Sequence, residues 1–155
     1  VGDVDGIDLV YGKLNVGEAL AVPIISAVKR KSKTDGLVIL DSPPGTACPV
    51  VESVLGADFC LMVTEPTPFG LHDLEVAADV VMQLGIPLGI VVNFAGIGDR
   101  GVYEYCERMT LPILMEIPYD RKIAELYSNG ISFVTEMTEW KEKFRELYRN
   151  IQEMV

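Results

Sequence analysis

The sequence predicts an α/β fold with a mostly parallel sheet flanked by helices. Near-continuous apolar runs of strand length recur at residues 37–41, 59–64, 88–93 and 111–117. Segments of helical period separate them, and each run stops at a carboxylate, a proline or an asparagine. Strands apolar at every position are buried on both faces, the mark of a parallel sheet built through helical crossovers.

A chain of 155 residues suits one domain, and with 49% apolar residues it can bury a sizeable core. No apolar run approaches the length that spans a bilayer, and no signal peptide is visible. The formal charge of −10 argues against a nucleic-acid surface, which needs clustered Lys and Arg. The final helix interleaves Lys141, Lys143, Arg145 and Arg149 with Glu139, Glu142, Glu146 and Glu153, a solvated face and not a membrane-docking one. Cys48, Cys60 and Cys106 are too far apart for a zinc or CxxC pattern and fit a reducing, cytoplasmic setting. Cys60 and Cys106 read as small buried hydrophobes, and Cys48 as the more accessible thiol.

Taken in order, residues 1–6 are acidic and expected to fray, and 7–11 alternate as a short strand. A turn over 12–17 leads into a helix running to Lys33, with Ile24, Ile25 and Val28 on one face; Pro23 opens or kinks it. Lys29, Arg30 and Lys31 fall in its last turn, where positive charge suits the helix dipole; a phosphate clamp is the sharper alternative. After the run at 37–41, residues 49–55 read as a short helix. The run at 59–64 is followed by Pro66 and Pro68, which hold an extended loop. A helix over 70–84 turns Leu71, Leu74, Ala77, Ala78 and Val81 inward and Asp73 and Asp79 outward. The run at 88–93 precedes a helix from Asp99 or Arg100 to Met109. The run at 111–117 precedes a helix over 121–128, stopped by Asn129 and Gly130. A last helix from Thr135 lines up Trp140, Phe144, Leu147, Tyr148 and Ile151 as a core stripe.

The run at 37–41 is the organising element. It ends in Asp41, Ser42, Pro43, Pro44 and Gly45. In open α/β sheets ligands gather beyond the carboxyl ends of the strands, where Asp41 is expected. A carboxylate there suits magnesium, often through water. Two prolines stiffen the following loop, and glycine lets the backbone approach a ligand. The plain alternative is a proline-stiffened turn after a core strand.

These residues closely resemble the Walker B and switch II motif of the MinD/ParA/Mrp group of P-loop ATPases, the CobQ/CobB/MinD/ParA nucleotide-binding domain. The longer run from Asp41 to Val51, with Thr64 to Glu75, resembles a branch carrying an inserted ferredoxin-like domain. The resemblance covers residues 12–120 and, less distinctly, the rest. It implies a P-loop NTPase-like fold of the SIMIBI type, with ATP and Mg2+ as cofactors. Asp41 would then hold magnesium through a water. Pro43, Pro44 and Gly45 would sense the γ-phosphate, through the Gly45 N–H and loop ordering. Asn93 resembles the asparagine that reads the adenine edge, its amide offering both a donor and an acceptor; a turn-forming Asn at a strand end is the alternative. Pro118 and Asp120 resemble the segment lining the same pocket, and Asp120 also reads as the N-cap of the next helix. Thr64, Glu65, Pro66 and Thr67 match a loop that flanks the nucleotide in relatives, with no catalytic role for Glu65. His72, the sole histidine, has no partner nucleophile in the sequence.

One family element is absent from these 155 residues: a glycine-rich Walker A loop with two lysines. Gly96 and Gly98 form the nearest glycine cluster, with no Gly-Lys-Ser or Gly-Lys-Thr after it. The chain is therefore expected to be the C-terminal part of one P-loop NTPase-like domain, incomplete at its N-terminus and inactive alone as an ATPase. An iron–sulfur cluster is expected only upstream of it. A homodimer or strand-exchanged self-association, and an iron–sulfur or redox protein client, follow from the resemblance; nucleic acid and membrane do not. The alternatives are a non-catalytic interaction domain derived from this fold, or a relative of the dethiobiotin or cobyrinate synthetases.

Overall fold

The computed structural model describes residues 2–4, 6–18, 20–32 and 36–155. It divides into two compact units, residues 1–56 and 57–155.

The second unit carries the expected α/β layering. Strands β3 (Cys60–Thr64), β4 (Leu88–Ala95) and β5 (Ile113–Pro118) form a parallel sheet in the order β3-β4-β5. Helices α3 (Pro68–Gln83) and α4 (Gly101–Met109) make the two crossovers. Residues alternate across β4, so Ile90 and Val92 pack with Leu74, Ala78 and Val81 of α3 and with Val102, Tyr105 and Cys106 of α4. Val91 faces the other way, into a cluster with Met115 of β5 and with Trp140 and Leu147 of α7 (Glu139–Gln152). The expected run buried on both faces is realised in β4. In β3 it is not: Leu61 is 36% exposed and Val63 64%. No β3 residue joins the α7 cluster among the described residues, so that face of β3 goes uncovered.

Helix ends follow local chemistry. The structure starts α3 two residues before the expected position. Thr67 Oγ1 accepts the Gly70 N–H at 3.0 Å and Pro68 takes the first turn, so Pro68 is helical and not part of an extended loop. α4 closes on Thr110, left-handed at φ 57°. α5 (Arg121–Ser128) has the expected bounds. The last helix begins later than expected. A single turn, α6 (Phe133–Glu136), breaks at Met137, and α7 then starts at Glu139. Phe133 meets Trp140 edge to face, centroids 5.4 Å apart. Tyr148 of the expected stripe is exposed.

The first unit departs further from expectation. Residues 2–4 do not fray: β1 (Gly2–Val4) pairs antiparallel with β2 (Ile7–Leu9). Val1 and Asp5 of the same expected stretch lie outside the described residues. Helix α1 (Val22–Lys31) opens with Pro23 in its first turn; the expected end at Lys33 lies outside the described residues. Helix α2 (Cys48–Val54) packs beside α1. Lys29 Nζ donates to the carbonyls of Glu52 (2.7 Å) and Leu55 (2.6 Å), and Ser26 hydrogen-bonds the Glu52 carboxylate. Lys29 stands in the last turn of α1 as expected, and its side chain caps the C-terminal carbonyls of α2, a contact the sequence reading did not foresee.

The largest correction concerns residues 37–41, which form no strand. Leu37, Val38 and Ile39 are 64%, 42% and 82% exposed. A strand needs a neighbour for its N–H and C=O groups, and no described segment forms a ladder with this one. The apolar run is present, but its burial is not.

Candidate functional site

The parallel sheet brings the carboxyl ends of β4 and β5 together. Asn93 stands opposite Ile117 and Ala95 opposite Pro118, with a register shift between Asn93 and Ala95. The Tyr119 N–H donates to the Ala95 carbonyl at 3.1 Å, tying the two strand ends past the last ladder pair. Of the residues singled out in the sequence, Asn93, Pro118 and Asp120 are therefore gathered at one end of one sheet.

Asn93 is half-buried, and its side-chain amide makes no hydrogen bond among the described residues. A polar group held in that state is available to a ligand. Asp120 does cap α5: its Oδ1 accepts the Lys122 N–H at 2.7 Å. That bond uses one carboxylate oxygen.

The shift at Asn93 places Phe94 at φ 53°, a left-handed conformation that side chains rarely adopt. The loop beyond is held by a close approach. The Asp99 N–H donates to the Pro66 carbonyl at 3.0 Å. A Cβ on Gly98, itself at φ 82°, would lie 1.8 Å from that oxygen. Thr64 Oγ1 donates to the Gly70 carbonyl at 2.8 Å, so the loop of Thr64, Glu65, Pro66 and Thr67 is fastened at both ends.

An open cleft of about 650 Å³ lies beside the strand ends, lined by residues 95–100 with Tyr103, Glu116 and Pro118. Arg100 lies over the Tyr103 ring, 5.8 Å from its centroid. Burial first, then the hydrogen bond to Glu116 and its negative charge, push the Tyr103 hydroxyl up to about 12; Arg100 opposes them. Sequence reading missed Phe94, Tyr103, Glu116 and Tyr119. Two of these left a signal, since Phe94 follows Asn93 directly and Tyr119 sits between Pro118 and Asp120.

Asp41, Pro43, Pro44 and Gly45 belong to the first unit. Asp41 is exposed and makes no ion pair among the described residues. Gly45 is at φ 98° with open space where a Cβ would stand, so its backbone can meet a ligand. An exposed carboxylate fits a hydrated magnesium ion, which keeps most of its waters. Among the described residues no group of three or more His, Cys, Asp or Glu could hold a metal by itself.

No protein-family profile matches the chain. The chain is 28% identical to the cell division ATPase MinD of Pyrococcus furiosus, with a TM-score of 0.63 over 86% of this chain and 57% of that one. The chain has a MinD/ParA-type P-loop NTPase fold. The MinD cell division protein of Aquifex aeolicus shares the fold at 18% identity and a TM-score of 0.61, over 86% of this chain and 60% of that one. Among curated relatives, the uncharacterized protein MJ0579 of Methanocaldococcus jannaschii is 37% identical over 149 residues, 94% of this chain and 49% of the relative. The cytosolic Fe-S cluster assembly factor Nubp2 homolog of Anopheles gambiae is 28% identical over 134 residues, 74% of this chain and 52% of that protein. The chain thus spans about half the length of the curated relatives it matches. MinD/Mrp-like is the level at which these similarities agree.

Proposed function

We propose that this chain supplies the nucleotide-base site of a MinD/Mrp-like ATPase, binding the adenine end of ATP at the carboxyl ends of β4 and β5. The observation that carries this reading is Asn93: a half-buried amide with no hydrogen bond among the described residues, opposite Ile117 where β5 runs out into Pro118, Tyr119 and Asp120. An amide presents a donor and an acceptor together, which matches the adenine edge. The backbone of Pro118 to Asp120 would line the same pocket, and Pro118 lies at the edge of the cleft beside these strand ends.

In the first unit, Asp41 keeps the role of holding magnesium through water, and Pro43, Pro44 and Gly45 that of sensing the γ-phosphate. Bound magnesium would neutralise phosphate charge. The free carboxylate and the open backbone at Gly45 support those roles. In the intact protein, nucleotide hydrolysis would switch conformation, and its work would be iron–sulfur cluster handling. The similarity to a cytosolic Fe-S cluster assembly factor supports that link. Among the described residues β3 and β5 each keep one unpaired edge, which supports self-association as a dimer.

Calorimetric titration tests the base site. ATP and ADP should both bind the chain, and Asn93→Ala should weaken both about tenfold, the scale of one or two lost hydrogen bonds. Adenine nucleotides binding equally to wild type and Asn93→Ala would contradict the assignment.

A further inference from the structure

Two loops of the second unit hold each other. The loop after β3 closes around Gly70, whose N–H is accepted by Thr67 Oγ1 and whose carbonyl is bonded by Thr64 Oγ1. A Cβ on Gly70 would lie 2.2 Å from the Glu65 carbonyl oxygen, which also accepts the Thr67 N–H at 2.8 Å. Pro66, between them, is fully buried, and its carbonyl accepts the Asp99 N–H from the loop after β4. That second loop arrives strained. It leaves β4 through the register shift at Asn93 with Phe94 at φ 53°, a conformation that persists only where surroundings enforce it. Two of its glycines then press on the first loop and its helix. Gly98 has no room for a Cβ against the Pro66 oxygen, and a Cβ on Gly101 would come 2.9 Å from Leu71 Cδ2, in the first turn of α3. Asp99 completes the link: its N–H goes to Pro66, and its Oδ1 accepts the N–H of Gly101, the first residue of α4, at 2.8 Å.

We propose that these two loops form a two-state latch that opens as one unit, so that α3 and α4 release their first turns together. The two states have opposing causes. Strain at Phe94 favours opening, while the Asp99 bond to Pro66 and the close packing at Gly98 and Gly101 favour closure. Close-packed contacts of this kind break as a set, because a glycine seated against a carbonyl leaves no intermediate fit. The consequence is coupling: whatever displaces one loop shifts the other, although it touches only one of them. The latch is independent of what the strand ends bind.

Native-state amide hydrogen exchange on the whole chain, without ligand, tests this. In the wild type the Thr67 and Asp99 N–H groups, one in each loop, should share one opening equilibrium and one denaturant slope. Thr67→Ala removes the cap in the first loop and speeds exchange only where an opening also breaks that cap. It should therefore speed Asp99 and Gly101, in the other loop, roughly 2- to 30-fold, the scale of a lost cap. Gly98→Ala acts from the opposite side and should speed Thr67 and Gly70 together with Asp99. The Gly130 N–H, bonded to the Tyr127 carbonyl at 2.9 Å beyond α5, is the control and should keep its wild-type rate in Thr67→Ala. If Thr67→Ala speeds Thr67 and Gly70 but leaves Asp99 and Gly101 unchanged, the loops open separately and the latch is wrong. An equal acceleration at Gly130 would mean that the whole unit opens at once, with no separate latch. Should Gly98→Ala fail to fold, the wild-type slopes and Thr67→Ala still decide: different slopes at Thr67 and Asp99 overturn the proposal.

Discussion

The Asp99 N–H reaches the Pro66 carbonyl at 3.0 Å, joining the loop after β4 to the loop after β3. The glycine at 98 permits this approach, since its missing Cβ would fall 1.8 Å from that same oxygen. Gly98→Ala therefore adds a backbone clash to a left-handed strain, at φ 82°. It should destabilise the chain by about 2–3 kcal/mol in urea unfolding. A midpoint within error of wild type would show the loop to be looser than this contact.

Trp140 anchors the helices on the other face of the sheet. It is 3% exposed, touches Phe133 and Phe144, and carries Lys143 over its ring at 4.1 Å. Trp140→Ala should cost about 3–5 kcal/mol. Lys143→Ala removes only an exposed cation–π contact and should cost about 0.5–1 kcal/mol. The ratio of the two, measured by equilibrium denaturation, distinguishes core packing from surface charge.

Most of the second unit was legible in the sequence. Period-two and period-3.6 apolar patterns act locally, so β3 to β5 and α3 to α5 fall within a few residues of expectation. The turn at Asn129 and Gly130 closes α5 where it was read. The failures share a cause. Residues 37–41 have a strand's composition, but strand status depends on a hydrogen-bonding neighbour that composition does not reveal. Pro68 reads equally as loop or as first helical turn until the Thr67 cap is seen. At the site, Asn93 and Asp120 were visible as residue types at strand ends. The left-handed Phe94 was not, because a β-bulge is set by the register of two strands together.

The thiols should separate by burial. Cys48 is exposed, while burial pushes the Cys60 and Cys106 thiols up. With a disulfide reagent at pH 8, Cys48 should react first and Cys106 last, in native protein only. Denaturant should bring all three to one rate. Cys106 modified as fast as Cys48 in the native state would contradict the core placement.

Tyr103 gives a pH dependence with a definite sign. Its hydroxyl rises from 10 in the unfolded chain to about 12 in the fold, because burial and Glu116 both disfavour the phenolate. The fold thus favours the neutral form. That contribution is fully present below pH 10 and is lost as pH rises through 10 to 12. Tyr103→Phe should flatten the alkaline loss of stability across this window. An unchanged alkaline limb would place the titrating group elsewhere.

The most direct measurement is amide shift mapping of the isotopically labelled chain during titration with Mg-ATP. The base site predicts that the largest shifts fall at Asn93, Phe94, Ala95, Ile117, Tyr119 and Asp120, and that Asn93→Ala reduces them at equal ligand concentration. Saturable shifts confined to other residues, with the ends of β4 and β5 unmoved, would contradict it.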